Sequence, residues 1–116
     1  MTFAQIASLL LTVVALSSGQ ILFKMASQKL PPSLDLDSML SLLSLELISA
    51  LVIYFFATIA WIYAIKDIEL RIAYPFASLG FILVPLLAHF LLGESISIRT
   101  FIGAGLIVVG LIISVT

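Results

Sequence analysis

Residues 71–94, RIAYPFASLGFILVPLLAHFLLGE, decide the fold of this chain. Between Arg71 and Glu94 lie 21 consecutive residues, 72–92, without a formal charge. An α-helix rises about 1.5 Å per residue, so a helix of this length covers the hydrocarbon core of a bilayer, which is about 30 Å thick. The stretch therefore predicts a membrane-spanning helix over residues 72–92.

Several polar groups of this predicted helix share one face, because they recur at spacings of three and four: Tyr74, Ser78 and His89, with Phe81 and Pro85 between them. Polar groups on one face of a membrane helix are expected to face protein or water. Pro75 and Pro85 remove backbone donors, which predicts a bend that frees carbonyl groups toward a cavity or a neighbour. Prolines are also simply tolerated in membrane helices, and both interpretations stay open.

The composition indicates an integral membrane protein. Of the 116 residues, 63% are hydrophobic and only 9% are charged, and the mean hydropathy is +1.34. A net charge of −1 with scattered basic residues gives no case for nucleic-acid binding. No cysteine and a single histidine give no metal set. No catalytic group of nucleophile, base and orienting carboxylate is evident either, so we predict neither an enzyme nor a cofactor.

Three further apolar segments predict helices over residues 4–27, 38–65 and 100–116. The fold class is therefore an all-α membrane protein, with one domain of four transmembrane helices over residues 1–116. The first segment is not preceded by Lys or Arg, which argues against a secretory signal.

The loops between the helices are short. Residues 28–37, with Pro31 and Pro32, form a loop by composition, and Asp37 or Ser38 is predicted to cap the second helix. That helix is longer than a bilayer requires, so its first turns are expected at the interface, or the helix tilts. Residues 66–71 form a charged, solvated turn, and Gly93 is a predicted C-cap.

The last helix carries a stripe of small residues on one face. This glycine stripe comprises Gly103, Ile107, Gly110 and Ser114. Such a stripe lets another helix approach closely, either in a second protomer or within the same one.

The basic residues are nearly balanced across the membrane. Lys24, Lys29 and Arg99 fall on one side, and Lys66 and Arg71 on the other. Because basic residues in short loops set orientation, the chain is expected to insert both ways. Four helices leave little room for an enclosed pathway, and transporters commonly combine two inverted halves. We therefore predict an antiparallel dimer, with a second copy or with a similar subunit.

The polar groups within the predicted membrane helices suit an anion. All six carboxylates lie in loops or near helix ends, whereas the helices offer an amide, an ammonium group, hydroxyls and an imidazole: Gln20, Lys24, Tyr74, Ser78 and His89. Lys24 is the predicted partner of a phosphate, although a lysine here also fits a membrane anchor. His89 is expected to be structural or mildly modulatory. Thr12 and Leu16 are secondary site candidates.

Four motifs carry a family resemblance: SGQILFKMA at 18–26, IAYPFASL at 72–79, LGE at 92–94, and glycines at 103 and 110. Over nearly its whole length the chain resembles the four-helix members of the drug/metabolite transporter superfamily, most closely the subunits of an aminoarabinose–phosphoundecaprenol flippase. The small multidrug resistance family is similar in architecture, but it carries a glutamate where this chain has Leu16 and a tryptophan where it has Ala77. These differences argue against proton-coupled export of cationic drugs.

The resemblance implies a transporter subunit that moves a lipid-linked phosphate, such as a polyprenyl-phosphate sugar, between leaflets. It implies that Lys24, Gln20, Tyr74 and Ser78 bind the substrate. It also implies a multi-pass location in a bacterial or archaeal inner membrane. Two alternatives stay open: an exporter of small organic molecules, and an accessory membrane protein that transports nothing.

Overall fold

The computed structural model describes residues 2–29, 35–41 and 44–116, except for the side chains at 38, 39 and 41, and this part of the chain is built from helices. They are α1 (Phe3–Ser27), α2 (Leu36–Ser41), α3 (Leu45–Ile65), α4 (Leu70–Ala77), α5 (Gly80–Leu92) and α6 (Ile98–Val115). Four segments are long and apolar enough to cross a membrane: α1, α3, α4 with α5, and α6. The predicted all-α membrane fold with four spans is therefore confirmed.

Helix α1 begins at Phe3 and α6 at Ile98, slightly before the predicted residues 4 and 100, and a hydroxyl group caps each of them. At the start of α1, Gln5 N–H donates to the Thr2 hydroxyl at 3.2 Å, and Thr2 N–H donates to the Gln5 side-chain oxygen at 2.9 Å. At the start of α6, the Ser97 hydroxyl accepts from Thr100 N–H at 3.4 Å. Each cap satisfies a backbone donor that the first helical turn leaves without a partner.

The predicted continuous helix over 38–65 is wrong. Ser44 has an extended backbone, with φ −79° and ψ 159°, and its hydroxyl accepts from Leu47 N–H at 3.3 Å, so a new helix begins at Leu45. The preceding α2 is a separate six-residue helix. Asp37 lies in its first turn rather than at the predicted N-cap, and Ser38 lies inside it. Pro31 and Pro32 of the predicted loop lie outside the described residues.

The predicted helix over 72–92 begins at Leu70 and is interrupted at Ser78 and Leu79. Pro75 has no backbone N–H, and its carbonyl group accepts from both the backbone N–H of Ser78, at 3.0 Å, and the Ser78 hydroxyl. Phe81 N–H in turn donates to Ser78 C=O at 2.9 Å. These three-residue hydrogen bonds tighten the backbone into a turn. The polar face predicted for 74–89 is thus divided between α4 and α5.

Helix α1 lies at the centre of the fold. It packs mainly against α3, and also against α5 and α4, while α6 packs against α4 and α5. The buried core joins Leu9 of α1, Ala64 of α3, and Ala73 and Phe76 of α4. On α3, the buried residues are alanines seven positions apart, Ala50, Ala57 and Ala64. Small side chains in one stripe let α3 approach its neighbour closely, which is how membrane helices gain packing energy.

The two membrane ends of the helices carry different ion pairs. At one end, Lys29 of the segment after α1 pairs with Glu46 in the first turn of α3. At the other end, Arg71 Nε lies 2.6 Å from Glu69 Oε2 in the turn between α3 and α4. The Lys29–Glu46 pair connects the segment after α1 to α3, whereas the Arg71–Glu69 pair is local and exposed.

Gly93 ends α5 with φ 73° and ψ 18°, which confirms the predicted C-cap. A side chain in this left-handed conformation is strained, so we expect Gly93→Ala to destabilise the protein by about 1 kcal/mol. Gly105→Ala is the matched control, because a Cβ at Gly105 meets nothing within 4 Å among the described residues and alanine favours a helix. Thermal unfolding in detergent compares the two, and equal shifts in the midpoint would contradict this assignment.

Candidate functional site

An open cavity of about 420 Å³ lies between α1, α3 and α5. Its walls are mostly apolar: Val13, Leu16, Ala77, Gly80, Phe81, Val84 and Pro85. Three polar side chains complete the lining, Ser17 and Gln20 of α1 and Tyr54 of α3. An apolar cavity with a few polar groups that converge is the usual form of a binding site for a small molecule or a lipid headgroup.

The cavity lies at half the depth of the membrane spans. Leu16, Tyr54 and Phe81 each lie within one residue of the midpoint of their own span, namely Phe3–Ser27, Leu45–Ile65 and Leu70–Leu92. Transporters commonly bind their substrate near the bilayer midplane. The position of this cavity therefore favours a role in transport.

A hydrogen bond joins the two largest polar groups of the cavity. Gln20 Nε2 donates to the Tyr54 hydroxyl, and this bond connects α1 to α3. It uses one of the two N–H groups of the amide. The amide oxygen of Gln20 and the O–H of Tyr54 retain their capacity for further partners, so the pair can both donate to a ligand and accept from it.

Gly19 and Phe23 fix the position of the Tyr54 ring. A Cβ atom at Gly19 would lie 2.4 Å and 2.6 Å from ring carbons Cε2 and Cδ2 of Tyr54, so only glycine fits against the ring. On the other side, the centroids of the Phe23 and Tyr54 rings are 5.0 Å apart, with a tilt of 55° between the planes. These contacts hold the hydroxyl of Tyr54 within reach of Gln20.

Two local features mark the cavity wall where α1 and α5 meet. Ser17 is buried, and a Cβ at Gly80 would lie 3.8 Å from its hydroxyl oxygen, so α1 and α5 are close at this level. Pro85 has no N–H to donate to the carbonyl group of Phe81, one helical turn earlier, and both residues line the cavity. The proline whose missing donor was predicted to free a carbonyl group therefore lies in the cavity wall, together with Phe81.

The predicted substrate-binding residues are not brought together. Gln20 lines the cavity, as does the secondary candidate Leu16. Lys24 is exposed on α1, one turn beyond Gln20 and outside the lining. Tyr74 is 67% exposed on α4. The Ser78 hydroxyl donates to the carbonyl group of Pro75. Roles for Tyr74 and Ser78 in substrate binding stay predictions.

The remaining secondary candidates, Thr12 and His89, have local hydrogen-bond partners. Thr12 is buried in α1, and its hydroxyl donates to the carbonyl group of Ser8 at 2.8 Å. The Nδ1 atom of His89 lies 2.7 Å from the carbonyl oxygen of Glu94, which can only accept, so Nδ1 carries the proton. This bond ties the end of α5 to the loop before α6, a geometry consistent with a structural role for His89.

The sequence indicated neither Tyr54 nor Ser17 as a site residue. The sequence signal for Tyr54 is indirect. It consists of Gly19 and Phe23, which lie on either side of Gln20 at helical spacing on α1, whereas Tyr54 is on α3. No pattern within one helix indicates which residue of another helix will face it. The partner of Gln20 therefore emerges only from the packing of α3 on α1.

The glycine stripe does not serve packing within the described part of the chain. A Cβ at Gly103 or Gly110 would meet nothing within 4 Å there, and α6 has no buried residue. Ser114 bonds within its own helix, donating to the carbonyl group of Gly110 at 2.8 Å. Of the two interpretations of the stripe, contact with a second chain is the one that this geometry favours.

The whole chain, residues 1–116, matches the sequence pattern of the EamA-like transporter family. The chain belongs to this family. The predicted resemblance to drug/metabolite transporters is thus confirmed, and the EamA-like family is a family of transporters rather than of enzymes. No solved structure matches the chain.

Similar curated proteins are bacterial. One, from Erwinia tasmaniensis, is named as a probable 4-amino-4-deoxy-L-arabinose-phosphoundecaprenol flippase subunit ArnF, and is 37% identical over 88% of this chain and 87% of its own length. A protein of the same name from Enterobacter sp. is 32% identical over 90% of this chain and 88% of its own length. A third, named as the ArnE subunit and also from Enterobacter sp., is 37% identical over 49% of this chain and 53% of its own length. These relatives support the bacterial part of the predicted location and not the archaeal part.

The contact between Gly19 and Tyr54 predicts an asymmetric effect of two glycine substitutions. Gly19→Ala forces a methyl group into the Tyr54 ring and should cost about 1–3 kcal/mol of stability. Gly80→Ala should be close to neutral, because its Cβ would make an ordinary contact of 3.8 Å with Ser17. Thermal unfolding in detergent measures both.

A double-mutant cycle isolates the ring as the cause. In a Tyr54→Ala background the ring is absent, so the added cost of Gly19→Ala should disappear. If Gly19→Ala costs as much in that background as in the parent protein, the steric account of Gly19 is incorrect.

Proposed function

We propose that this chain is one subunit of a flippase that moves a lipid-linked phosphate, of the polyprenyl-phosphate sugar type, between the leaflets of a bacterial inner membrane. The observation that carries this proposal is similarity over nearly the full length to proteins named as subunits of such a flippase. The fold adds independent support, since its main cavity lies at half depth and is open. An open cavity admits a headgroup while the long hydrocarbon chain stays in the bilayer.

The charges of the described residues favour this substrate over a cationic drug. No carboxylate of the described residues lines the cavity at half depth, and Glu46, in the first turn of α3, is paired with Lys29. Exchange of a proton against a cation requires a carboxylate within the pathway. A phosphate instead requires a cation, which this chain supplies at the end of α1.

Lys24 is the cation that best suits a phosphate. It is exposed, it lies one turn from the cavity residue Gln20, and within the described residues it forms no ion pair, whereas Lys29 is bound to Glu46. An ammonium group on a flexible stem is a point-charge partner for phosphate. The same stem also suits an anchor at the membrane surface, so substitution has to separate the two roles.

A second subunit is part of the proposal. The cavity is open, and a Cβ at Gly103 or Gly110 in the glycine stripe of α6 would meet nothing within 4 Å in the described part of this chain. Transporters commonly enclose a site near the bilayer midplane between two inverted halves. We assign the second half to another copy of this chain or to a similar subunit, as the word "subunit" in the names of the relatives suggests.

Substitution of Lys24 tests its role in transport. Lys24→Gln should slow flipping of a polyprenyl phosphate in proteoliposomes about tenfold or more, because a charge-assisted hydrogen bond is lost. Lys24→Arg keeps the charge and should retain most of the rate. Lys66→Gln, at the opposite membrane end, is the matched control and should leave the rate unchanged. A Lys24→Gln protein with normal expression that flips at the parent rate would show that Lys24 is only an anchor.

The balance of basic residues predicts two orientations in the membrane. A tag at the C-terminus should be accessible from both sides in a population of molecules, and two lysines added to residues 66–71 should shift the population to one orientation. Labelling with a reagent that does not cross the membrane measures this. A single orientation of every parent molecule would exclude the inverted homodimer and leave a pair with an oppositely oriented similar subunit.

A further inference from the structure

The lining of the main cavity carries no formal charge. Its polar groups, among the described residues, are the Ser17 hydroxyl, the Gln20 amide and the Tyr54 hydroxyl. A phosphate has a formal charge, and placing a charge at half depth without a counter-charge is costly. The cavity is therefore poorly suited to the phosphate itself.

The same groups are well suited to a sugar ring. A sugar hydroxyl both donates and accepts, and the Gln20–Tyr54 pair offers both functions from a fixed position. The remaining walls are apolar, like the C–H faces of a sugar ring. Neutral hydrogen-bonding groups in a dry cavity give selectivity, because an unmatched group on either side is left without a partner.

The distance along α1 matches a headgroup that is divided into two parts. Lys24 follows Gln20 by four residues, which is about 6 Å along the helix axis. In a glycosyl phosphate the phosphate is bonded directly to the ring, so a ring held at Gln20 places its phosphate toward Lys24. The charged group then lies nearer the membrane end, where a charge costs less.

We infer that the main cavity binds the uncharged, hydroxyl-bearing sugar ring of a glycosyl-phosphate lipid, and that the phosphate stays outside the cavity at the Lys24 end. This inference rests on the proposed function and goes beyond it, because it assigns the two parts of the headgroup to different residues. Tyr54 becomes the residue that distinguishes a lipid with a sugar from one without it.

The test compares two lipids that differ only in the sugar: a polyprenyl phosphate and the same polyprenyl phosphate carrying a pentose. The full-length protein in its assembled form is reconstituted, and flipping of each lipid is measured. Tyr54→Phe keeps the ring that packs on Gly19 and Phe23 and removes only the hydroxyl. It should slow the pentose-bearing lipid about fivefold or more and leave the sugar-free lipid nearly unchanged.

Two further variants complete the design. Tyr63→Phe is the matched control, since Tyr63 is on the same helix, is 74% exposed and does not line the cavity, and it should change neither rate. Lys24→Gln should slow both lipids by a similar factor, because both carry the phosphate. This pattern separates a residue that binds the sugar from one that binds the phosphate.

Binding supplies a readout that does not depend on transport. The pentose-bearing lipid should raise the thermal unfolding midpoint in detergent more than the sugar-free lipid does, and Tyr54→Phe should remove that difference. The inference is overturned if Tyr54→Phe affects both lipids equally or neither of them, or if the parent protein does not distinguish them in binding. Failure of the parent to flip either lipid would overturn the proposed function instead, while the binding comparison still decides the location of the sugar.

Discussion

The close approach of α1 and α3 at Gly19 is the contact on which the site depends. Because Gly19 has no side chain, the Tyr54 ring lies directly against the backbone of α1, and its hydroxyl reaches the Gln20 amide. The buried alanines of α3 extend the same close packing along that helix. In a bilayer, where lipid is as apolar as the protein, such contacts replace the hydrophobic effect as the source of helix association. A larger residue at position 19 would separate the helices or displace the tyrosine, and either change removes the polar pair from the cavity.

A second constraint is that every backbone polar group at membrane depth requires a partner or a wet surface. The chain meets this constraint at the first break in its third span, where the carbonyl group of Pro75 accepts from the backbone N–H and the hydroxyl of Ser78. At Pro85 the helix continues, and the carbonyl group left over belongs to Phe81, which lines the cavity. The two prolines of one span thus have different consequences, since the helix is interrupted after Pro75 and continues through Pro85.

The sequence predicts the fold well because its signals are local and strong. An uncharged run such as 72–92 and a glycine such as Gly93 need no knowledge of other helices. The break at Ser44 is harder to predict, since Ser38 and Ser41 are nearby hydroxyl residues that the sequence does not distinguish from Ser44, and α3 begins at Leu45 instead of seven residues earlier. The site is harder again, because Gln20 and Tyr54 are 34 residues apart and meet only through packing. The sequence indicated Gln20 as a polar membrane residue and listed it as a binding residue with Tyr74 and Ser78, neither of which lines the cavity.

The distribution of charge explains why one protein surface can handle a headgroup and still allow it to leave. The cavity at half depth is neutral, and the one cation of α1, Lys24, lies toward one membrane end. A cation at half depth would bind a phosphate strongly and trap it there, because attraction between charges is greatest where the dielectric constant is low. In the proposed flippase, a neutral cavity would bind the sugar with a few hydrogen bonds, each worth only about 1 kcal/mol, and so would provide a shallow minimum in the middle of the path. If the second subunit is inverted, its own Lys24 equivalent lies near the other leaflet, and the phosphate then has a cationic station on each side with no deep trap between them.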